Sequence, residues 1–371
     1  MNPFIIKGYA GPECFCDRET ETERLIHAIE NQRNLTLVSL RKMGKTGLIH
    51  HVFNRLDAEN YDTVYMDIYD TVNLTGFINK FASALLSLRK TFKERMMEYI
   101  GSFRYIRPVI SVDALTGLPS ASFRISSEEE AHQTVGELFR ILHEKSMIKP
   151  IVLAIDEFQQ ITKYPEKNVE AVIRSQIQQM QRVSIVFSGS SKSLLGQIFT
   201  NPARPFYQST ELMYLDKINR LSYADFIQKI FSSHSIRIDP EAVELILDRT
   251  MSHTYYVQFC CNKLFEKELT KITIQEVKEV FQQILIDQEP FYLEFRNLIT
   301  QHQWQLLKAI AKENGAKNTA SSSFIRQYGL TNASTVKRGL DSLLDKELIY
   351  KSNEGYFLQD VFFSRWMELH P

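Results

Sequence analysis

The chain has 371 residues, more than one ordinary hydrophobic core accommodates, so two or three domains are expected. Its composition, 44% hydrophobic and 24% charged, is that of a soluble globular protein and excludes a disordered or fibrous chain. Lys+Arg and Asp+Glu both number 44, so net charge singles out no nucleic-acid or membrane partner.

No run approaches the roughly 18 apolar residues of a membrane span. The opening "MNPFIIKGYAGPE" lacks the long apolar run of a signal peptide, which makes the cytoplasm the default expectation. Cys14 and Cys16 form C-x-C, and Cys260 and Cys261 form C-C. Neither spacing suits zinc or a bridge, so all four read as free thiols.

In chain order, "DRETETERLIHAIEN" reads as a helix with an N-cap Asp and an acidic first turn. "LTLVSL" is a short buried strand, followed by a glycine-containing loop and the helix "TGLIHHVFNRLDAEN". "DTVYMDIYD" is a second strand, and residues 75–100 keep helical periodicity. Residues 107–125 alternate around a Gly/Pro turn, a hairpin signal. A helix from Ser127 to Lys145, the strand "PIVLAIDEF" and the helix "PEKNVEAVIRSQIQQMQR" follow. Then come the strand "VSIVFSGSS" and a last strand, "TELMYLDKI". Continuous apolar strands alternating with helices predict an α/β fold with a parallel sheet covered on both faces. After about residue 216 the pattern turns helical, and the last eighty or so residues read as three helices and a Gly-tipped hairpin, a winged helix-turn-helix. The expected domains are therefore 1–215 (α/β), 216–290 (helical lid) and 291–371 (winged helix).

"SLRKMGKTGL" matches the phosphate-loop pattern Gly-x4-Gly-Lys-Ser/Thr except that Ser39 replaces the first Gly. Strand, loop and helix occur in the required order. Backbone N–H groups of Arg41, Lys42, Met43, Gly44 and Gly47 would cradle phosphates at the helix N-terminus. Lys45 would reach the β- and γ-phosphates, and the Thr46 hydroxyl would bind Mg²⁺. Ser39 lies at the strand exit, where its loss of glycine freedom matters less than it would at Gly44.

A magnesium nucleotide also needs an acidic residue at a neighbouring strand tip. "IVLAIDEF" offers Asp156 to hold Mg²⁺ through water and Glu157 as general base, although an Asp-Glu pair can also simply cap a turn. "FSGSS" ends the next strand. There Ser190 could touch the γ-phosphate or the lytic water, or the serines could cap the following helix. No Asn-Lys-x-Asp follows a strand, so adenine is favoured over guanine.

With these residues the chain resembles the archaeal-type ATPase family, a branch of the AAA-related signal-transduction NTPases. "CFCDRETETERL" is similar to the family's N-terminal segment beside the adenine, which implies Phe15 and Arg18 as contacts. "SLRKMGKTGL", "LAIDEFQ" and "FSGSS" resemble its loop, its Walker B strand and its next strand end. "SHTYYVQFCCNKL" and "GYFLQDVFFSRWMEL" resemble the lid signature and the winged-helix close. The resemblance implies ATP/ADP and Mg²⁺ as cofactors and ATP held between the α/β core and the lid. It departs at Gln208, where the family carries a candidate arginine finger. Arg204, four residues earlier, is the substitute candidate, from the same or a neighbouring chain. Gly47, Ser252 and Thr254 are further departures.

The winged helix carries Ser334, Thr335, Lys337 and Arg338 near the start of "NASTVKRGLDSLL", residues able to contact DNA in a major groove. Residues 291–371 hold ten Lys/Arg against eight Asp/Glu, a balance of only +2, so docking to a protein or to the chain itself is the competing expectation. Phe362, Phe363 and Trp366 should pack this domain on the lid. Two functions remain: a Mg-ATP switch or slow ATPase, and a winged-helix DNA-binding or adaptor protein with a structural ATP site. A small-molecule kinase is disfavoured, because no Arg-rich phosphate lid is found. Oligomers fit either function.

Overall fold

The computed structural model describes residues 2–86, 88, 109–112 and 119–370. It divides into two compact units, Arg18–Asp216 on one hand and Met1–Asp17 with Lys217–Pro371 on the other.

The Arg18–Asp216 unit begins with α1 (Glu19–Glu30), β1 (Leu35–Val38), α2 (Lys45–Arg55), β2 (Asp62–Asp67) and α3 (Leu74–Leu86). An antiparallel pair follows, β3 (Val109–Val112) with β4 (Pro119–Ser122). The unit closes with α4 (Glu128–Ile148), β5 (Ile151–Asp156), α5 (Val169–Ile177), β6 (Val183–Gly189), α6 (Lys192–Thr200) and β7 (Glu211–Tyr214). Five strands form one parallel sheet in the order β2-β5-β6-β1-β7, flanked by helices. Every residue of β1, β5 and β6 is buried, which is why their sequences run apolar without alternation. The strand that feeds the loop, β1, is separated from the Asp156 strand β5 by β6. The loop after β1 and Asp156 at the tip of β5 therefore both lie at the carboxyl ends of these strands, where open α/β sheets hold ligands. An aromatic cluster fixes that end: Phe158, directly after Glu157, lies 4.4 Å from Phe187 and 5.3 Å from Phe206 between ring centres.

Some boundaries differ from those the sequence predicts. The N-cap of α1 is Arg18 rather than Asp17, because both residues adopt the left-handed backbone (φ 55° and 73°) and delay the helix by one residue. The α5 helix stops at Ile177, where its apolar 169-173-177 stripe ends. Residues 89–100 of the expected long helix, and the 113–118 turn of the hairpin, lie outside the described residues.

The other unit contains α7 (Arg220–Ser233), α8 (Pro240–Arg249), α9 (Thr254–Phe265), α10 (Ile274–Leu298), α11 (Gln301–Glu313), α12 (Ser322–Gln327), α13 (Ala333–Asp345) and α14 (Val361–Leu369). Two-residue strands β8 (Arg237–Ile238) and β9 (Lys271–Ile272) pair in parallel, and β10 (Ile349–Ser352) and β11 (Gly355–Leu358) form the wing hairpin. The wing turn requires glycine: Gly355 has φ 130°, and a Cβ there would stand 2.7 Å from the Ala316 carbonyl oxygen.

One hydrophobic core runs through this unit from Phe4 to Met367. The first seventeen residues, expected with the α/β domain, group here because Phe4 is buried 4.8 Å from the ring of Phe231, and Asn262 donates to the Phe4 carbonyl. The expected 290/291 boundary falls inside α10, which continues through Pro290. The carbonyl that Pro290 leaves without a helical donor belongs to Ile286, an exposed residue. Phe362 packs edge-on to Tyr256 of the expected lid at 4.8 Å, as the sequence leads one to expect, whereas Phe363 stacks at 5.0 Å on Tyr292, within the range expected for the winged helix itself. Cys260 and Cys261 are fully buried free thiols, and burial pushes the Cys260 thiol up to about 12.

Candidate nucleotide site

The loop between β1 and α2 begins at Ser39, which is fully buried and does not adopt the left-handed backbone, so glycine is not required there. Left-handed geometry falls instead on Lys42 (φ 60°) and Gly44 (φ 90°), the latter at the N-cap of α2. Left-handed residues in a tight turn before a helix form an anion-binding concavity of backbone N–H groups. Met43 is buried, while Arg41 and Lys42 are exposed.

Lys45 is the first residue of α2 and only 6% exposed. Its Nζ donates to Ser39 Oγ at 3.2 Å, and among the described residues no carboxylate lies in ion-pair contact with it. Burial lowers its pKa, and the nearby charges of Asp156 and Glu157 raise it by less. A buried ammonium with one neutral partner is an unfavourable arrangement that an incoming anion relieves.

Asp156, at the tip of β5, is 3% exposed. Thr46 Oγ1 donates to its Oδ2 at 2.8 Å across 110 residues of sequence. Tyr65 Oη donates to the same oxygen at 2.9 Å. Its other oxygen accepts from the Ser188 hydroxyl and, at 3.0 Å, from the Glu157 N–H. Because Thr46 gives its proton to Asp156, its oxygen lone pairs are left for a hard cation. No group of three or more His, Cys, Asp or Glu side chains suited to a metal exists among the described residues. That donor set fits Mg²⁺, which takes one or two protein oxygens and fills its remaining positions with phosphate and water. Thr46 and Asp156 would hold it.

Glu157 occupies a left-handed backbone position, φ 57°. Its Oε2 accepts from Ser190 Oγ at 2.8 Å and from Gln159 Nε2 at 2.5 Å. Gly189 makes room for that glutamine, since a Cβ there would fall 1.9 Å from Gln159 Oε1. Ser190 therefore contacts the proposed base, while Ser191 takes the N-cap position of α6 without a side-chain cap bond.

The structure thus brings Ser39, Gly44, Lys45, Thr46, Asp156, Glu157 and Ser190 to one end of the sheet; Gly47 lies one residue beyond Thr46 in the first turn of α2. It does not bring Arg204 to them: Arg204 is ion-paired with Glu170, its Nε 3.1 Å from Oε2. Gln208 is exposed and donates to its neighbour Tyr207 at 3.0 Å. Arg18 is buried, with its guanidinium on Glu21 and on the Asp216 carbonyl. Phe15 belongs to the other unit, edge-on to Tyr9 at 6.0 Å. Sequence reasoning missed Tyr65, the grip of Ser188 on Asp156, and Asp67, which pairs in register with Asp156 and whose pKa is raised by burial and by Asp156 and Glu157. Their only signal was position at strand ends, which is uninformative until the strand order is known.

A family profile described as an ATPase domain predominantly from Archaea matches residues 15–258. The chain belongs to that family. It is therefore an archaeal-type ATPase by family, and an ATP-binding role is supported. A second profile, described as a probable winged helix domain, matches residues 290–369. Among solved structures, a Walker-type ATPase of Pyrococcus abyssi shares 16% identity over 98% of this chain and 99% of that one, with a TM-score of 0.67. The ORC2 protein of Aeropyrum pernix, in ADPNP and ADP complexes, shares 12% identity over 99% and 96%, with a TM-score of 0.60. The ORC1 protein of the same organism, in complex with DNA, shares 14% over 97% and 94%, with a TM-score of 0.52. At such identities these likenesses speak for the fold. No curated protein sequence matches the chain. No helix among the described residues is long and apolar enough to cross a membrane.

Proposed function

We propose that this archaeal-type ATPase binds Mg-ATP at the β1–α2 loop and acts as a nucleotide-controlled switch or slow ATP hydrolase. One observation carries the reading: Lys45 is a buried ammonium beside a loop with left-handed residues, hydrogen-bonded among the described residues only to a neutral hydroxyl. A phosphate would supply its missing counter-charge. Lys45 and the loop N–H groups bind the β- and γ-phosphates, and Thr46 and Asp156 hold Mg²⁺. Glu157 is the base for an attacking water, with Ser190 beside it. Mg²⁺ supplies charge neutralisation at the phosphates when bound. The test is fluorescent ATP-analogue binding: wild type binds, and Lys45→Ala loses binding by about 100-fold or more. Unchanged binding in Lys45→Ala would sink the assignment.

A second reading is favoured by Arg204 and Gln208. With Arg204 on Glu170 and glutamine at position 208, neither candidate finger position brings an arginine to the site. The site would then hold ATP without turnover, and the winged helix would bind DNA or a protein. Exposed Ser334, Lys337 and Arg338, and a DNA-bound relative in fold, support a DNA partner. Phosphate release separates the two readings. Under the first, wild type turns over and Glu157→Gln retains ATP with turnover reduced by about 100-fold or more. Under the second, wild type releases no phosphate, alone or with DNA.

A further inference from the structure

Asp156 is a single carboxylate with four donors, and they are not equivalent. Glu157 N–H is backbone, Ser188 is fully buried on β6, and Thr46 is the proposed metal ligand itself. The fourth, Tyr65, comes from the neighbouring strand β2 and serves no other part of the proposed chemistry. It stands opposite Ala154 in register, two residues before Asp67, so its phenol reaches two residues along β5 to Asp156 Oδ2. The small Ala154 leaves room for the ring. His50, one turn after Thr46 on α2, packs against the ring at 4.8 Å between centres and fixes its plane.

We propose that Tyr65 is a positioning residue for the metal carboxylate: its hydroxyl holds Asp156 Oδ2 in the orientation that lets Asp156 and Thr46 serve one Mg²⁺. Ser188 holds one carboxylate oxygen and Tyr65 the other, so the carboxylate plane is set from two strands. Without the phenol, Oδ2 keeps only Thr46, and the carboxylate can rotate away from the metal position. Hydrogen bonds to a ligating carboxylate typically change metal affinity by 10–100-fold. The inference rests on the nucleotide reading above.

The test is binding of a fluorescent ATP analogue by the full chain, with EDTA and across a Mg²⁺ titration, for wild type, Tyr65→Phe and Lys45→Ala. Expected for Tyr65→Phe is metal-free binding equal to wild type and a half-saturating Mg²⁺ concentration about 10-fold higher. A merely structural role would weaken both or neither. An unchanged or lower Mg²⁺ requirement in Tyr65→Phe overturns the assignment to Tyr65 and leaves the nucleotide reading standing. Absence of nucleotide binding in wild type overturns both. If Tyr65→Phe does not fold, wild type carrying ¹³Cζ-labelled tyrosine gives the answer: Mg²⁺ added to the nucleotide complex shifts one tyrosine Cζ resonance, and no shift overturns the proposal.

Discussion

The chain starts two helices with similar residues and treats them in opposite ways. The α2 helix opens with Lys45 and Thr46, and α13 opens near Ser334, Thr335, Lys337 and Arg338. At α2 the lysine is buried and the threonine hydroxyl is taken by a buried aspartate from another strand. At α13 the lysine and arginine face solvent, and Asn332 caps the helix by accepting from the Thr335 N–H at 2.9 Å and from the Ser334 hydroxyl at 2.7 Å. The first helix start is left electrostatically incomplete and the second is satisfied locally. Residue type did not separate them; burial and long-range partners did.

Stability should break the symmetry most sharply. Lys45→Met replaces a buried, unpaired ammonium with an apolar chain of similar length. The ligand-free protein is expected to gain about 1–3 kcal/mol while losing nucleotide binding. Lys337→Met, on the exposed helix, should stay within about 0.5 kcal/mol of wild type and leave nucleotide binding intact. Thermal melts of both variants without nucleotide read the difference. A Lys45→Met protein less stable than wild type would mean that the ammonium already has a partner in solution.

The same contrast explains what was legible beforehand. The loop and its helix could be read because Gly44, Lys45 and Thr46 lie together in sequence, where a motif is visible. Asp156 could be read because an acidic residue ending an apolar strand is conspicuous. Tyr65 and Ser188 could not, because their roles depend on β2 and β6 lying on either side of β5, a matter of strand order. The parallel α/β layout followed from buried strands alternating with helices. The grouping of residues 1–17 with the C-terminal helices did not, since Phe4 and Asn2 carry no sign of partners some 230 to 260 residues away. The persistence of α10 through Pro290 was likewise hidden, because a proline removes a helical hydrogen bond and by itself reads as a stop.

A smaller effect tests the other helix start. Asn332→Ala removes the acceptor that caps α13 and should cost about 1 kcal/mol. Nucleotide affinity, with and without Mg²⁺, is expected to stay at the wild-type value. A change in nucleotide affinity would show that the two helix starts are energetically linked, and the contrast between them would then be incomplete.

The smallest expected effect concerns the α13 surface. The Lys337→Ala/Arg338→Ala pair removes two exposed cations that have no partner among the described residues beyond a 3.5 Å contact from Arg338 to Thr335 Oγ1. Stability should move by less than about 0.5 kcal/mol. If this helix lies against DNA phosphates, affinity should fall on every sequence alike, and the slope of log affinity against log salt should flatten by about 1 per lost contact. If a protein surface is the partner, DNA affinity at physiological salt should be weak in wild type and unchanged in the variant. The winged-helix segment carries an excess of only two positive charges, so any DNA affinity has to come from local contacts such as these two cations. The salt slope therefore decides whether this satisfied helix start has a nucleic-acid role, just as the ammonium at α2 decides the role of the incomplete one.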